Sequence, residues 1–154
     1  MRDIEETLHL DNQICFPLYA VSRLTTQLYT PLLAKLNLTY PQYLVMLVLW
    51  QYKIQTVNEI CSKLFLETNT VTPLLKRLEQ KKMINRRRSE CDERLVVVTL
   101  SEQGEKMRES ALCIPGKIVA QFGDDSLTVA EVENLKVTLN KLLDIIRNKN
   151  NERV

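Results

Sequence analysis

A chain of 154 residues with 45% hydrophobic content has material for one domain with a real core, or one domain with extensions. Its 21 basic and 19 acidic residues nearly cancel to a formal charge of +2, so any strong positive field must be local. One histidine (His9), four scattered cysteines without a CxxC pair (Cys15, Cys61, Cys91, Cys113) and no apolar run of membrane length exclude a zinc finger, a disulfide framework, a Ser-His-Asp triad and a membrane span. No metal and no cofactor is expected. The charged start Met1–Glu6 has no apolar signal core, which predicts a cytoplasmic protein. Three glycines and long periodic segments predict a mainly helical one.

Residues 1–8 read as a loose leader. From Leu10 to about Leu36, Ile14, Leu18, Val21, Leu24 and Leu28 follow helical spacing, with Asp11 and Asn12 as cap candidates. Pro17 would cost roughly 3 kcal/mol inside a helix, so the helix either starts close to Cys15 or kinks there. A start at Cys15 would place its sulfur at the positive helix end, which favours a thiolate. Pro31 predicts a second bend or a separate turn. Leu38-Thr39-Tyr40-Pro41 punctuates, with Thr39 as cap and Pro41 suited to a first turn. The following helix, Gln42 to about Tyr52, is apolar nearly all round and should be the buried centre.

Two short helices come next. Val57–Leu64 carries Ile60 and Leu64 on one face. A second helix from about Thr70 carries Val71, Leu74, Leu75 and Leu78, with Thr68 or Asn69 as cap and Pro73 in its first turn. This is a helix-turn-helix pattern, whose second helix can enter a major groove. From Lys76 to Arg94 there are eight basic residues against four acidic ones. Arg86-Arg87-Arg88 leads into the polar turn Ser89–Glu93, and Arg94–Leu100 is β-branched and strand-like. A basic hairpin beside a recognition helix is a wing, and its arginines can reach phosphates and the minor groove. The commonest reading of a charge run, a solvated face, gives way here because the run sits between a helix-turn-helix and a strand.

Beyond the wing, Ser101 caps a helix running to about Leu112, where Ile114-Pro115-Gly116 should bend or break it before Lys117–Phe122. Gly123–Ser126 reads as a turn. The last helix, from about Thr128, carries Val132, Leu135, Leu139, Leu142 and Ile146 as a heptad stripe, with a frayed polar tail from Asn148. The expected fold is mainly α with a small β-wing: residues 1–36 a dimerisation helix, 37–100 a winged helix-turn-helix, 101–154 further dimerisation helices. Two such heads would read a pseudo-palindromic operator in double-stranded DNA as a homodimer.

On that surface Asn69, Thr70 and Thr72 are candidates for base edges, Lys76 and Arg77 for a guanine or phosphates, and Arg86, Arg87 and Arg88 for the backbone. Asp92 is expected to brace the wing and Arg94 to reach the minor groove or its phosphates. Cys61 reads as small core filler, and Cys91 as an exposed residue of the wing tip.

Asp92-x-Arg94 followed by Val98-x-Leu100-Ser101-x-x-Gly104 is similar to the wing signature of the MarR family. Leu10-x-Asn12-Gln13-x-Cys15-Phe16-x-Leu18-Tyr19, Tyr29-x-Pro31-Leu32-Leu33, Leu38–Tyr43 and Thr70–Glu79 resemble the organic hydroperoxide resistance regulators within it. The resemblance covers nearly the whole chain. It implies a homodimeric repressor that releases DNA when Cys15 is oxidised by an organic hydroperoxide, with Tyr29 and Tyr40 of the partner subunit donating hydrogen bonds to the thiolate. It also implies Cys113 as a possible resolving cysteine. Three other readings stay open: a repressor answering a small aromatic ligand with Cys15 merely structural, a thiol peroxidase using Cys15, and a winged helix used for protein contact alone.

Overall fold

The computed structural model describes residues 5–121 and 127–151, so the turn expected at Gly123–Ser126 and the extreme ends of the leader and tail lie outside the described residues. Two compact units divide the chain, residues 1–115 and 116–154.

Among the described residues the first unit begins with two short 3-10 turns, Glu5–Leu8 and Leu10–Asn12, so residues 5–8 are helical where a loose leader was expected. Asn12 Nδ2 donates to Glu6 O (2.6 Å) and Gln13 Nε2 to Thr7 O (2.5 Å). Asp11 and Asn12 therefore do not cap the next helix, whose N-cap is Ile14. Helix α1 spans Cys15–Ala34. Pro17 falls in its first turn, where a missing N–H costs no helical bond. Against expectation, α1 runs unbroken through Pro31. That proline removes only one bond, near the helix end, leaving the Gln27 carbonyl without its donor.

Thr39 opens α2, Tyr40–Tyr52, with its N–H donating to Gln42 Oε1 (3.1 Å). Tyr43, Val45, Met46, Val48, Leu49 and Trp50 are all buried, so α2 is the expected centre of the core. A short strand, β1 (Ile54–Thr56), follows that was not anticipated. It is three residues long and exists because β3 offers it a pairing edge.

Helix α3 spans Val57–Leu64. Its N-cap Thr56 and Glu59 form a reciprocal capping box, with Thr56 N–H donating to Glu59 Oε2 (2.6 Å) and Glu59 N–H to Thr56 Oγ1 (3.2 Å). Phe65, in the left-handed region at φ 54°, ends it. Helix α4 spans Thr68–Gln80 and buries Val71, Leu74, Leu75 and Leu78 as the spacing predicts. It starts two residues earlier than expected, with Glu67 at the N-cap, so neither Thr68 nor Asn69 is the cap. Pro73 consequently sits in the second turn rather than the first.

Strands β2 (Ile84–Arg88) and β3 (Val96–Leu100) form the wing, antiparallel from Ile84 opposite Leu100 to Arg88 opposite Val96. Strand β3 is central, with β1 on its other side. Gly104 opens the helix after the wing, α5 (Glu102–Ala111), and an added Cβ there would lie 2.1 Å from Met83 O, so only glycine fits. Ser101 locks the same corner: its hydroxyl donates to Lys82 O (2.5 Å) and accepts from Gly104 N–H (3.0 Å). Trp50 Nε1 donates to Gly104 O (2.9 Å), tying α2 to the wing base.

The break after α5 falls at Leu112–Cys113. Ile114-Pro115-Gly116 lies inside the first turn of α6 (Ile114–Ala120) instead of breaking the chain. Pro115 suits that first turn because its missing N–H would have no helical acceptor there.

In the second unit, α7 spans Val129–Asn151, so it continues as helix past Asn148, where fraying was expected. Its start is a capping box in which Thr128 N–H donates to Glu131 Oε2 (2.8 Å) and Glu131 N–H to Thr128 Oγ1 (3.2 Å). The heptad residues Val132, Leu135, Leu142 and Ile146 are exposed on it.

Candidate nucleic-acid interface and cysteine site

Two groups of residues carry chemistry in the first unit. The first is the face shared by α4 and the wing. Asn69, Thr70, Lys76 and Arg77 are exposed on α4 and Thr72 is half-buried. A cleft of about 200 Å³ runs between α4 and the wing, bordered by Asn58, Thr68, Thr72, Arg94 and Val96. The structure thus brings the start of α4 and Arg94 around one concavity.

The wing tip is a built turn. Ser89 N–H donates to Leu95 O (2.8 Å), and Leu95 N–H to Asp92 O (2.9 Å). Asp92 Oδ1 accepts from the Arg94 backbone N–H (3.0 Å) and from its Nε (3.2 Å). The Arg94 side chain remains 91% exposed. Its carboxylate partner therefore aims the guanidinium without burying it. Arg88 donates to Glu93 O (3.1 Å), and Arg87 lies 3.7 Å from Glu90, both in exposed positions.

Arg86 stands apart from its neighbours. Its Nε (2.9 Å) and Nη2 (2.5 Å) both donate to Glu79 Oε2, and its side chain is largely covered. Bonding to the guanidinium holds the Glu79 carboxyl below the ordinary glutamate range. Arg86, expected at the DNA backbone, fastens β2 to the end of α4 instead. Its alternation along the strand, one residue in and one out, was the available signal: Ile84 and Arg86 face inward, Asn85 and Arg87 outward.

The second group surrounds the phenols. Tyr29 on α1 and Tyr40 on α2 have ring centroids 4.8 Å apart. Tyr43 joins them, at 6.0 Å from Tyr29 and 6.5 Å from Tyr40, and meets Trp50 edge-on at 6.2 Å. Burial raises the pKa of all three tyrosines, which keeps their hydroxyls protonated as donors. Tyr43 was not singled out from the sequence, although its i,i+3 spacing from Tyr40 puts both on one face of α2.

Cys15 is the first residue of α1 and is exposed, so the helix-start alternative holds. The uninterrupted helix between Cys15 and Tyr29 separates them by 14 residues, or about 21 Å. No single chain can bring this sulfur to those phenols.

The remaining cysteines are also free thiols. Cys61 is half-buried with its Sγ 3.8 Å from Thr68 Oγ1, joining the two helices of the reading head. Cys91 is exposed at the wing tip, and Cys113 is exposed in the α5–α6 break with its Sγ 3.6 Å from Ser110 O. Among the described residues no cluster of His, Cys, Asp or Glu is arranged to hold a metal, and no helix is long and apolar enough to cross a membrane.

Comparison with known proteins places the chain among transcriptional regulators. The family model described as transcriptional regulator SarA/Rot matches residues 27–110. The chain is 46% identical to the organic hydroperoxide resistance transcriptional regulator of Bacillus subtilis over 146 residues, covering 93% of this chain and 95% of that one. Among solved structures, reduced AbfR bound to DNA superposes with a TM-score of 0.79 at 35% identity, covering 94% of this chain and 96% of that one. A disulfide-formed AbfR superposes with a TM-score of 0.62 at 37% identity, covering 90% and 96%.

Proposed function

Because this chain belongs to the organic hydroperoxide resistance regulators of the MarR family, we propose that it is a homodimeric repressor that senses organic hydroperoxides by oxidation of Cys15 and then releases a pseudo-palindromic operator. The observation that carries the reading is the separation within one chain. An exposed thiol at a helix start and a half-buried phenol pair about 21 Å away make a site only when two copies meet. In the dimer, Tyr29 and Tyr40 of one subunit donate to the Cys15 thiolate of the other. Each pKa unit by which such bonds favour the thiolate corresponds to about 1.4 kcal/mol.

The chemistry is a displacement. The thiolate attacks the terminal oxygen of the hydroperoxide, the O–O bond breaks, and the leaving alkoxide takes a proton to become an alcohol. The sulfur is left as a sulfenic acid. A second thiol can condense with it, releasing water and forming a disulfide. Cys113 is the candidate resolving residue in this chain, in line with the disulfide form of AbfR. Loss of the anionic acceptor removes the phenol bonds that hold the subunits in register, and the spacing of the two reading heads changes. Cys15 is spent once per signal, so the protein is a switch and not an enzyme.

On DNA, α4 enters the major groove with Asn69, Thr70 and Thr72 near base edges and Lys76 and Arg77 at a guanine or phosphates. Arg94, aimed by Asp92, reaches the minor groove beside it, while Arg87 and Arg88 contact the backbone. Arg86 supports that surface through Glu79. That reduced AbfR, 35% identical, is solved bound to DNA supports DNA as the partner. Work on DNA, with no helix among the described residues long and apolar enough to cross a membrane, supports a cytoplasmic location.

Treatment with stoichiometric cumene hydroperoxide should add one oxygen or one disulfide at Cys15 by mass spectrometry and abolish the operator gel shift. Cys15→Ser should bind the operator and keep it under the same treatment. Release from the Cys15→Ser protein by peroxide would defeat the assignment. A second reading has a specific feature behind it. A hollow of about 390 Å³ lined by Tyr43, Leu47, Trp50, Arg108 and Leu112 could take a small aromatic ligand. Operator release by such a ligand, equal in wild type and Cys15→Ser, would favour it.

A further inference from the structure

Another hollow, of about 490 Å³, opens between the α1–α2 turn, the α4–β2 turn and α5. Lys35, Lys81 and Lys106 line it from those three stretches, and none of its lining residues is acidic. In a chain of net charge +2 this is a concentrated positive field. It lies at the far end of α4 from the wing cleft: 13 residues from Thr68 to Lys81 amount to about 20 Å.

The three amines differ in how they are held. Lys81 is fixed, its Nζ donating to Asn37 O (2.5 Å) and to Oε1 of the buried Gln42 (3.1 Å). An ammonium carries three donors, so one proton of Lys81 is left for a ligand. Lys106 pairs with Glu102 one turn back (2.6 Å), both ends exposed, an ion pair that opens readily. Lys35, just past the end of α1, has no ion pair among the described residues. Leu36, Met83 and Met107 add an apolar wall.

We propose that this hollow is a binding site for a small molecule with two or more anionic groups, one meeting Lys81 and another meeting Lys35 and Lys106. Phosphate and carboxylate groups share the required chemistry. Bound anion relieves the mutual repulsion of the three amines, and the apolar wall receives the body of the molecule. The proposal is independent of the cysteine reading.

Calorimetric titration of the full chain at fixed ionic strength tests it, with pyrophosphate and citrate as probes and acetate as the monoanion control. Pyrophosphate or citrate should bind once per chain and raise the thermal midpoint by about 3 °C or more at saturation. Stronger binding of one probe identifies the source of the anionic group. The double variant Lys35→Gln/Lys106→Gln alters only exposed side chains. It should weaken that binding tenfold or more, with circular dichroism and operator affinity in the absence of probe unchanged, and Cys15→Ser should bind the probe as wild type does. Three results would overturn the site: neither probe binding more tightly than acetate, equal binding by the double variant, or a double variant that loses operator affinity as Arg94→Ala does. The last would make these lysines DNA-phosphate contacts.

Discussion

Helices α1 and α2 are both rich in apolar residues, and they meet opposite fates. In α2 most of the large side chains are buried, with Val45, Met46 and Leu49 at 0% exposure. In α1 only Leu33 is buried, while Leu18, Tyr19, Val21 and Leu24 lie open. Taken by itself, α7 shows the same excess, with Val132, Leu135, Val137 and Ile146 exposed. An open apolar stripe of this kind marks an association surface, whereas a covered one marks a core. The reading head covers its core within one chain, while in the proposed homodimer the open faces of α1 and α7 are where a second copy would pack.

That contrast can be broken by experiment. The largest effect is expected from charging the open face. Leu24→Lys should leave the circular dichroism of the reading head intact while weakening association by about 3–6 kcal/mol, since a two-fold interface loses the same contact twice. Sedimentation would read it, and a variant still dimeric at low micromolar concentration would refute the contrast. The matching change in the covered helix, Leu49→Ala, should cost about 2–5 kcal/mol of folding stability at any protein concentration, measured by urea denaturation. Gly104→Ala drives a Cβ into the Met83 carbonyl and should cost about 1–3 kcal/mol, with the loss centred on the wing base. A smaller effect is expected at Arg94→Ala, which removes the proposed phosphate or groove contact and should lower the salt slope of operator binding by about 1.

The smallest is a pH effect. Glu79 has a depressed folded-state pKa, so its contribution is present above the unfolded value and lost as pH falls through the folded one. The side chains are partly exposed, so Glu79→Gln should flatten the acid limb of stability by less than about 1 kcal/mol.

Much of this was legible beforehand because periodicity survives in the sequence. The i, i+3, i+4, i+7 spacing of Val71, Leu74, Leu75 and Leu78 dictates which face of α4 is buried, and the β-branched run Val96–Thr99 dictates the wing strand. The misses have a common cause in tertiary contacts. Strand β1 is too short to show a pattern and depends on its pairing with β3. The bond from Arg86 to Glu79 is invisible until β2 and α4 are packed together. The α4 boundary moved because the turn at Phe65, and not a side-chain cap, sets where the next helix can start. Tyr29 lies beside Tyr40 and within reach of Tyr43, and both contacts exist only once α1 is docked on α2.

Trp50 is the chain's single tryptophan, with its indole nitrogen bound to the Gly104 carbonyl and its ring edge against Tyr43. Its fluorescence therefore reports on one place, where the wing base and the tyrosine cluster meet. Any rearrangement of the phenols should shift the emission maximum or quench the signal. The molecule carries its own optical probe, and switching can be followed in real time without attaching a dye.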